Sequence, residues 1–142
     1  MKEVVFAIWL GIQGCLDFKY KEIPIWLSLL GGGIGVLFCV IEERNIRNML
    51  IACVPGIIVL IFSWITKEVI GYGDGMVLLV MGAYMPIAQI LSIGMLAFCL
   101  AGIVALILLV LFRKKGKEQI PFIPFLFIAY GLEYVTKVEG IL

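Results

Sequence analysis

The sequence predicts an all-α integral membrane protein with about six transmembrane helices. Apolar residues make up 63% of the 142 residues, and the mean hydropathy of +1.17 lies far above that of soluble domains. The charged residues fall in short clusters between apolar runs. Because a spanning helix needs about 20 residues, the chain can hold roughly six short crossings. We therefore expect a single polytopic membrane domain over residues 1–142.

Charge and residue content exclude several functional classes. The formal net charge is +1 and no basic stretch is interleaved with stacking aromatics, so nucleic acid is not an expected partner. The chain has no histidine, and its cysteines stand singly in apolar runs, so neither a metal site nor a cofactor is predicted: Cys15, Cys39, Cys53 and Cys99. The serines lie in apolar runs without a base nearby and are predicted to hydrogen-bond back to helix carbonyls: Ser28, Ser63 and Ser92.

The first two apolar runs predict two helices joined by a polar connection. The first, Val4 to Leu16, is short for a crossing, so Asp17 should lie at or slightly below the membrane interface. The second runs from about Ile25 to Ile41. Within it, Gly31 and Gly35 have the small-xxx-small spacing that permits close helix contact in lipid.

Four further apolar runs predict the remaining helices. The third runs from about Met49 to Thr66, the short fourth from Met76 to Tyr84, and the fifth from Ile87 to Phe112. The last opens at 120–125 and ends near Tyr134. The basic run 113–118 between the fifth and sixth is interpreted as a topological anchor that also meets anionic lipid.

A carboxylate flanked by glycines interrupts this pattern at Gly71-Tyr72-Gly73-Asp74. A charged group near the bilayer costs at least about 2.5 kcal/mol on insertion scales, so such acids usually face a cavity or a partner and mark function. A polar turn is the alternative, since glycine suits a turn equally well. The tetrapeptide alone leaves both interpretations open.

A second acid on the same side of the membrane favours the functional interpretation. Two predicted crossings separate Asp17 from Asp74, and an even number returns the chain to the same surface. The loops on that side carry more lysine and arginine, which places it in the cytoplasm. Two neighbouring acids share one proton over a wide pH range. The ionised acid can take a proton from an attacking water, while the protonated one stabilises the carbonyl oxygen and later supplies the leaving amine.

The motifs resemble those of the type IV prepilin peptidase family, membrane aspartyl proteases of the Gly-x-Gly-Asp kind, in its short form without the methyltransferase region. Asp17 followed by Ile23-Pro24 is similar to the family's first aspartate motif. The stretch 71–74, followed by Gly82-Ala83, is similar to the second. Ile120-Pro121-Phe122 with Pro124 resembles the C-terminal Pro-Phe-x-Pro stretch.

The resemblance implies an aspartyl endopeptidase in which Asp17 and Asp74 are catalytic and Gly71 and Gly73 support the motif backbone. The substrate it implies is a prepilin-like precursor, whose basic leader is removed at the cytoplasmic side of its hydrophobic helix. It implies a multi-pass protein of the prokaryotic plasma membrane, surrounded by lipid, that does not N-methylate its product. Substrate-binding residues and oligomeric state are not predicted.

Three departures from the family pattern keep other functions open. Ile25 stands where Asn is usual, Met76 where Lys is usual and Ile123 where Gly is frequent. We expect activity because both aspartates and both motif glycines remain. The alternatives are a small proton or cation transporter that uses the paired acids, and a non-enzymatic assembly subunit of a pilus or secretion machine.

Overall fold

The computed structural model describes residues 1–67, 71–112 and 120–140, and this part of the chain forms six α-helices. Their bounds are α1 Lys2–Tyr20, α2 Ile25–Ile41, α3 Ile46–Ile65, α4 Tyr72–Tyr84, α5 Ile87–Leu111 and α6 Ile123–Val138. The predicted all-α fold with six helices is confirmed. By length and apolar composition α3 and α5 qualify as membrane spans, and a crossing by all six helices stays a prediction.

Two boundaries differ from the prediction where they matter for the acids. α1 continues past Leu16, so Asp17 lies inside its last turn instead of opening a loop. The helix ends at Tyr20 and is capped by Lys21, which takes a left-handed conformation with φ 53° and donates its N–H to the Asp17 carbonyl at 2.9 Å. α4 begins at Tyr72 instead of Met76, which puts Asp74 in its first turn. An acid is favoured there because the N-terminus of a helix carries partial positive charge.

The other boundaries differ at polar or proline-containing ends. α3 begins at Ile46, three residues earlier than predicted, because the Asn45 side chain caps it by accepting the Arg47 N–H at 2.9 Å. α6 runs over Ile123–Val138, so it starts later and ends later than predicted. The basic run 113–118, predicted as an anchor, lies outside the described residues.

α4 is the central helix of the bundle. It packs most extensively against α3 and next against α2, and it is continuously buried from Val80 to Tyr84. α6 joins α1 to α5 on the other side. Aromatic rings tie the two groups together, since the ring centroid of Phe6 lies 4.8 Å from that of Tyr84 and 5.0 Å from that of Tyr130. The short α4 is thus held in place along its length.

Close packing of α2 through its glycines, as predicted, is confirmed. A Cβ on Gly31 would collide with the Trp9 indole, and one on Gly35 would lie 2.6 Å from the Tyr84 ring. Two hydrogen bonds accompany these contacts: Trp9 Nε1 donates to the Leu27 carbonyl, and the Tyr84 hydroxyl donates to the Gly31 carbonyl, both at 2.8 Å. Close approach and hydrogen bonding therefore lock α2 onto α1 and α4.

The outward faces of the helices are apolar. Large apolar side chains such as Leu37, Ile61 and Leu106 are each more than half exposed. Exposed apolar surface of this extent is what a lipid environment covers. The fold is therefore a helical bundle with a largely apolar outer surface.

Candidate active site

Asp17 lies in the last turn of α1 and is buried, with 8% of its surface exposed. Its Oδ2 accepts a hydrogen bond from the backbone N–H of Ile123 at 3.2 Å. Ile123 is the first residue of α6, and the side chain of the preceding Phe122 does not cap that helix. Asp17 therefore caps α6 from another helix, at an end that favours negative charge. Burial raises the pKa of Asp17, and the hydrogen bond from Ile123 opposes that rise.

Asp74 lies in the first turn of α4, where its N–H donates to the carbonyl of Gly71 at 3.2 Å. Burial raises the pKa of its carboxyl group to about 7, with a further contribution from the negative charge of Asp17. Both acids sit in end turns of helices and outside α3 and α5, the two candidate spans. The contribution of Asp17 to the Asp74 pKa shows that the two carboxyl groups interact electrostatically.

One open cavity of about 1440 Å³ is lined by both aspartates. At their end it is bounded by both motif glycines, Gly71 and Gly73, and by Lys21. From there the cavity continues between α5 and α3 along apolar side chains, which include Leu91, Met95, Phe98, Pro55 and Val59. The site thus combines a pair of acids with an apolar wall in one cavity, a common arrangement in ligand sites.

Part of each of the three family-like motifs lines this cavity. Ile25 and Met76, the two departures beside the acids, both line it, as do Ile120, Pro121 and Phe122. Glu133, an acid in α6, is not among the residues that line the cavity, and its carboxyl group is hydrogen-bonded to the Ser92 side chain of α5.

The sequence analysis missed three contacts at or near the site. The backbone N–H of Ile123 holds Asp17, and Ile23 lies against Gly73. The fully buried Gln13 donates from Nε2 to the Ser28 hydroxyl at 3.1 Å, a partner that was not predicted for Ser28. Gln13 stands one helical turn before Asp17 on the same face of α1, and that i, i+4 spacing was the available signal.

In the described part of the chain, no three cysteine or acidic side chains come together in a way that could hold a metal ion. The arrangement that is present, two interacting acids in a cavity, can hold and transfer a proton at a bound water or carbonyl group.

Comparison with protein families gives a match over most of the chain. The model of the type IV leader peptidase family matches residues 4–116, a range that contains both aspartates. No curated protein and no solved structure matches the chain significantly.

Proposed function

The chain belongs to the type IV leader peptidase family, and on this premise we propose that it is an aspartyl endopeptidase with Asp17 and Asp74 as its catalytic pair. It removes the basic leader of prepilin-like precursors at the cytoplasmic face of a prokaryotic plasma membrane, which its single domain crosses about six times. The observation that carries the proposal is that both aspartates line one cavity and interact there.

The environments of the two acids support different roles for them in the proposed reaction. Asp17 accepts the Ile123 N–H at the positive end of α6, which favours its charged form. Burial and the negative charge of Asp17 both raise the pKa of Asp74, and we therefore assign the shared proton to Asp74 in this proposal. Asp17 therefore takes a proton from the attacking water while Asp74 donates to the carbonyl oxygen of the scissile bond. When the C–N bond breaks, the pair returns a proton to the leaving amine.

The apolar part of the cavity supports a precursor with a hydrophobic segment. Its wall on α5 carries Leu91, Met95 and Phe98, and its wall on α3 carries Pro55 and Val59. An apolar helix of the precursor placed there would leave the polar leader beyond the acids, at the end where Lys21 and Glu22 line the cavity. The scissile bond would then lie at the carboxyl groups.

One observation favours a second candidate, a non-enzymatic assembly subunit built on the peptidase fold. Ile25 and Met76, which replace the polar residues usual in the family, both line the cavity beside the aspartates. An apolar surface there could hold a pilin-like helix without cutting it. The transporter alternative gains no comparable support from the site.

Reconstitution in liposomes with a purified prepilin-like precursor tests the proposal. We expect two products whose masses place the cut between the basic leader and the hydrophobic helix. A precursor without its leader is the control and should stay intact. A full-length precursor that stays intact and yet co-purifies with the protein would overturn the peptidase proposal in favour of the assembly subunit. Proton flux across liposomes that contain the protein but no precursor would favour the transporter.

A further inference from the structure

Ile23 lies directly against Gly73, the residue that precedes Asp74. A Cβ placed on Gly73 would lie 2.8 Å from Ile23 Cγ1 and 3.1 Å from Ile23 Cβ, and Cδ1 would be closer still. Real Cβ contacts essentially never fall under 3.0 Å. The Ile23 side chain is partly buried and packs against the hydrophobic core. It therefore occupies the space that any side chain at position 73 would need.

Gly71 has no comparable requirement. A Cβ placed there would meet the Asp74 carboxyl group at 3.6 Å, which is ordinary van der Waals contact. Its backbone is extended, with φ −62° and ψ 134°, a conformation open to any residue. Neither motif glycine is among the residues with positive φ in the described part of the chain. The need for glycine at position 73 thus comes from Ile23 and not from a turn.

The contact joins the two segments that carry the acids. Ile23 follows Asp17 by six positions, in the short connection between α1 and α2, and Gly73 is bonded to Asp74. Asp17 is fixed on its other side by the Ile123 N–H. The Ile23 contact is therefore a direct mechanical link between the end of α1 and the start of α4.

We propose that Ile23 is a positioning residue whose side chain, seated on Gly73, sets the separation of the Asp17 and Asp74 carboxyl groups. This role rests on the proposed peptidase function. Displacement of reacting groups by about 1 Å can lower a reaction rate about 100-fold. A small shift in the contact between Ile23 and Gly73 therefore has a large effect on kcat. Substrate binding along the apolar wall of the cavity is affected less, so KM changes little.

The test compares glycine variants of the full-length protein in the cleavage assay. Gly73→Ala is expected to lower kcat about 100-fold. The kcat of Gly71→Ala should be at least about 10-fold higher than that of Gly73→Ala, because the space at Gly71 accommodates a Cβ. Gly33→Ala is the neutral control, since a Cβ there meets nothing within 4 Å and Gly33 lies outside the cavity. Equal losses for Gly73→Ala and Gly71→Ala would overturn the proposal.

Variants of Ile23 keep the test decisive even if Gly73→Ala does not fold. Ile23→Ala removes the seated atoms and should lower kcat about 10-fold, whereas Ile23→Val keeps Cβ and Cγ1 and should stay within about 3-fold. In the double variant Gly73→Ala, Ile23→Ala, the two Cβ atoms meet at 3.1 Å, which a slight shift accommodates. We expect it to recover about 10-fold over Gly73→Ala alone. A double variant as inactive as the single one would contradict the proposal.

A second readout separates the positioning role from the peptidase activity. The charge of Asp17 contributes to the raised pKa of Asp74, so a wider spacing lowers that pKa. Carboxyl titration by NMR should therefore give a lower apparent pKa for Gly73→Ala, whose added Cβ pushes against Ile23, than for wild type and Gly33→Ala. If wild type cuts no precursor but this shift occurs, the peptidase function fails and the positioning role stands. An unchanged titration would overturn the positioning role.

Discussion

Asp17 accepts a hydrogen bond from the backbone N–H of Ile123 at 3.2 Å, across 106 positions of the chain. The bond places a proposed catalytic acid at the N-terminus of α6, where it also serves as the helix cap. Catalysis and stability are thus coupled in one side chain, and substitutions of Asp17 can separate the two effects.

Asp17→Asn should fold nearly as well as wild type, because the amide oxygen can still accept the Ile123 N–H. Asp17→Ala leaves that buried N–H unpaired and should lower the free energy of unfolding by ~1–3 kcal/mol relative to Asp17→Asn. Chemical unfolding in detergent micelles measures the difference. Equal stabilities of the two variants would show that the Asp17 carboxyl group does not cap α6.

The raised pKa of Asp74 predicts how stability depends on pH. The carboxyl group titrates near 7 in the folded protein against an ordinary value of 3.8, so the folded state binds the proton more tightly. Stability from this group is therefore fully present below about pH 4 and is lost as pH rises to about 7, by ~4 kcal/mol in total.

Thermal unfolding of wild type and Asp74→Asn between pH 4 and 8 checks this prediction. Asparagine cannot ionise, so Asp74→Asn should show a flatter profile and should exceed wild type in stability at pH 8. Parallel profiles for the two proteins would mean that Asp74 titrates in its ordinary range.

The Gln13–Ser28 hydrogen bond is a second buried polar contact near the acids. Both side chains are at most 1% exposed, so removing one partner leaves the other unsatisfied. Gln13→Leu and Ser28→Ala should each lower the free energy of unfolding by ~1–3 kcal/mol. The double variant should cost less than the sum of the singles, and additive losses in a double-mutant cycle would contradict the pairing.

The far end of α4 is held by Arg44. Its guanidinium donates to the carbonyls of Gly82 and Ala83, each at 3.3 Å, and to that of Met85 at 2.8 Å. Lysine lacks the two guanidinium NH₂ groups that make these bonds, so Arg44→Lys should lower the free energy of unfolding by ~2 kcal/mol. The exposed Arg47 is the matched control, and Arg47→Ala should stay within ~0.5 kcal/mol of wild type. Equal changes in the free energy of unfolding for the two substitutions would show that the Arg44 hydrogen bonds add no stability.

Hydropathy predicted the six helices, because apolar runs and their breaks are local signals. The even number of predicted crossings between Asp17 and Asp74 predicted that the two acids lie on the same side. The helical state of Asp17 and Asp74 themselves was missed, since polar residues in end turns look like loop residues in a sequence. The contacts of Ile123 with Asp17 and of Ile23 with Gly73 join distant segments through a backbone N–H and an apolar side chain. Neither group carries a pattern that identifies its partner before the chain is folded.

Cleavage of a prepilin-like precursor by the purified protein, beside Asp17→Asn and Asp74→Asn, decides whether these two acids are the catalytic pair. Asparagine keeps the shape of each side chain but removes the shared proton, and the folding of each variant is checked by its unfolding profile. We predict that wild type cuts at the leader boundary and that both variants are folded and inactive, with losses of at least about 100-fold. Cleavage by a folded variant at the wild-type rate would contradict the assignment.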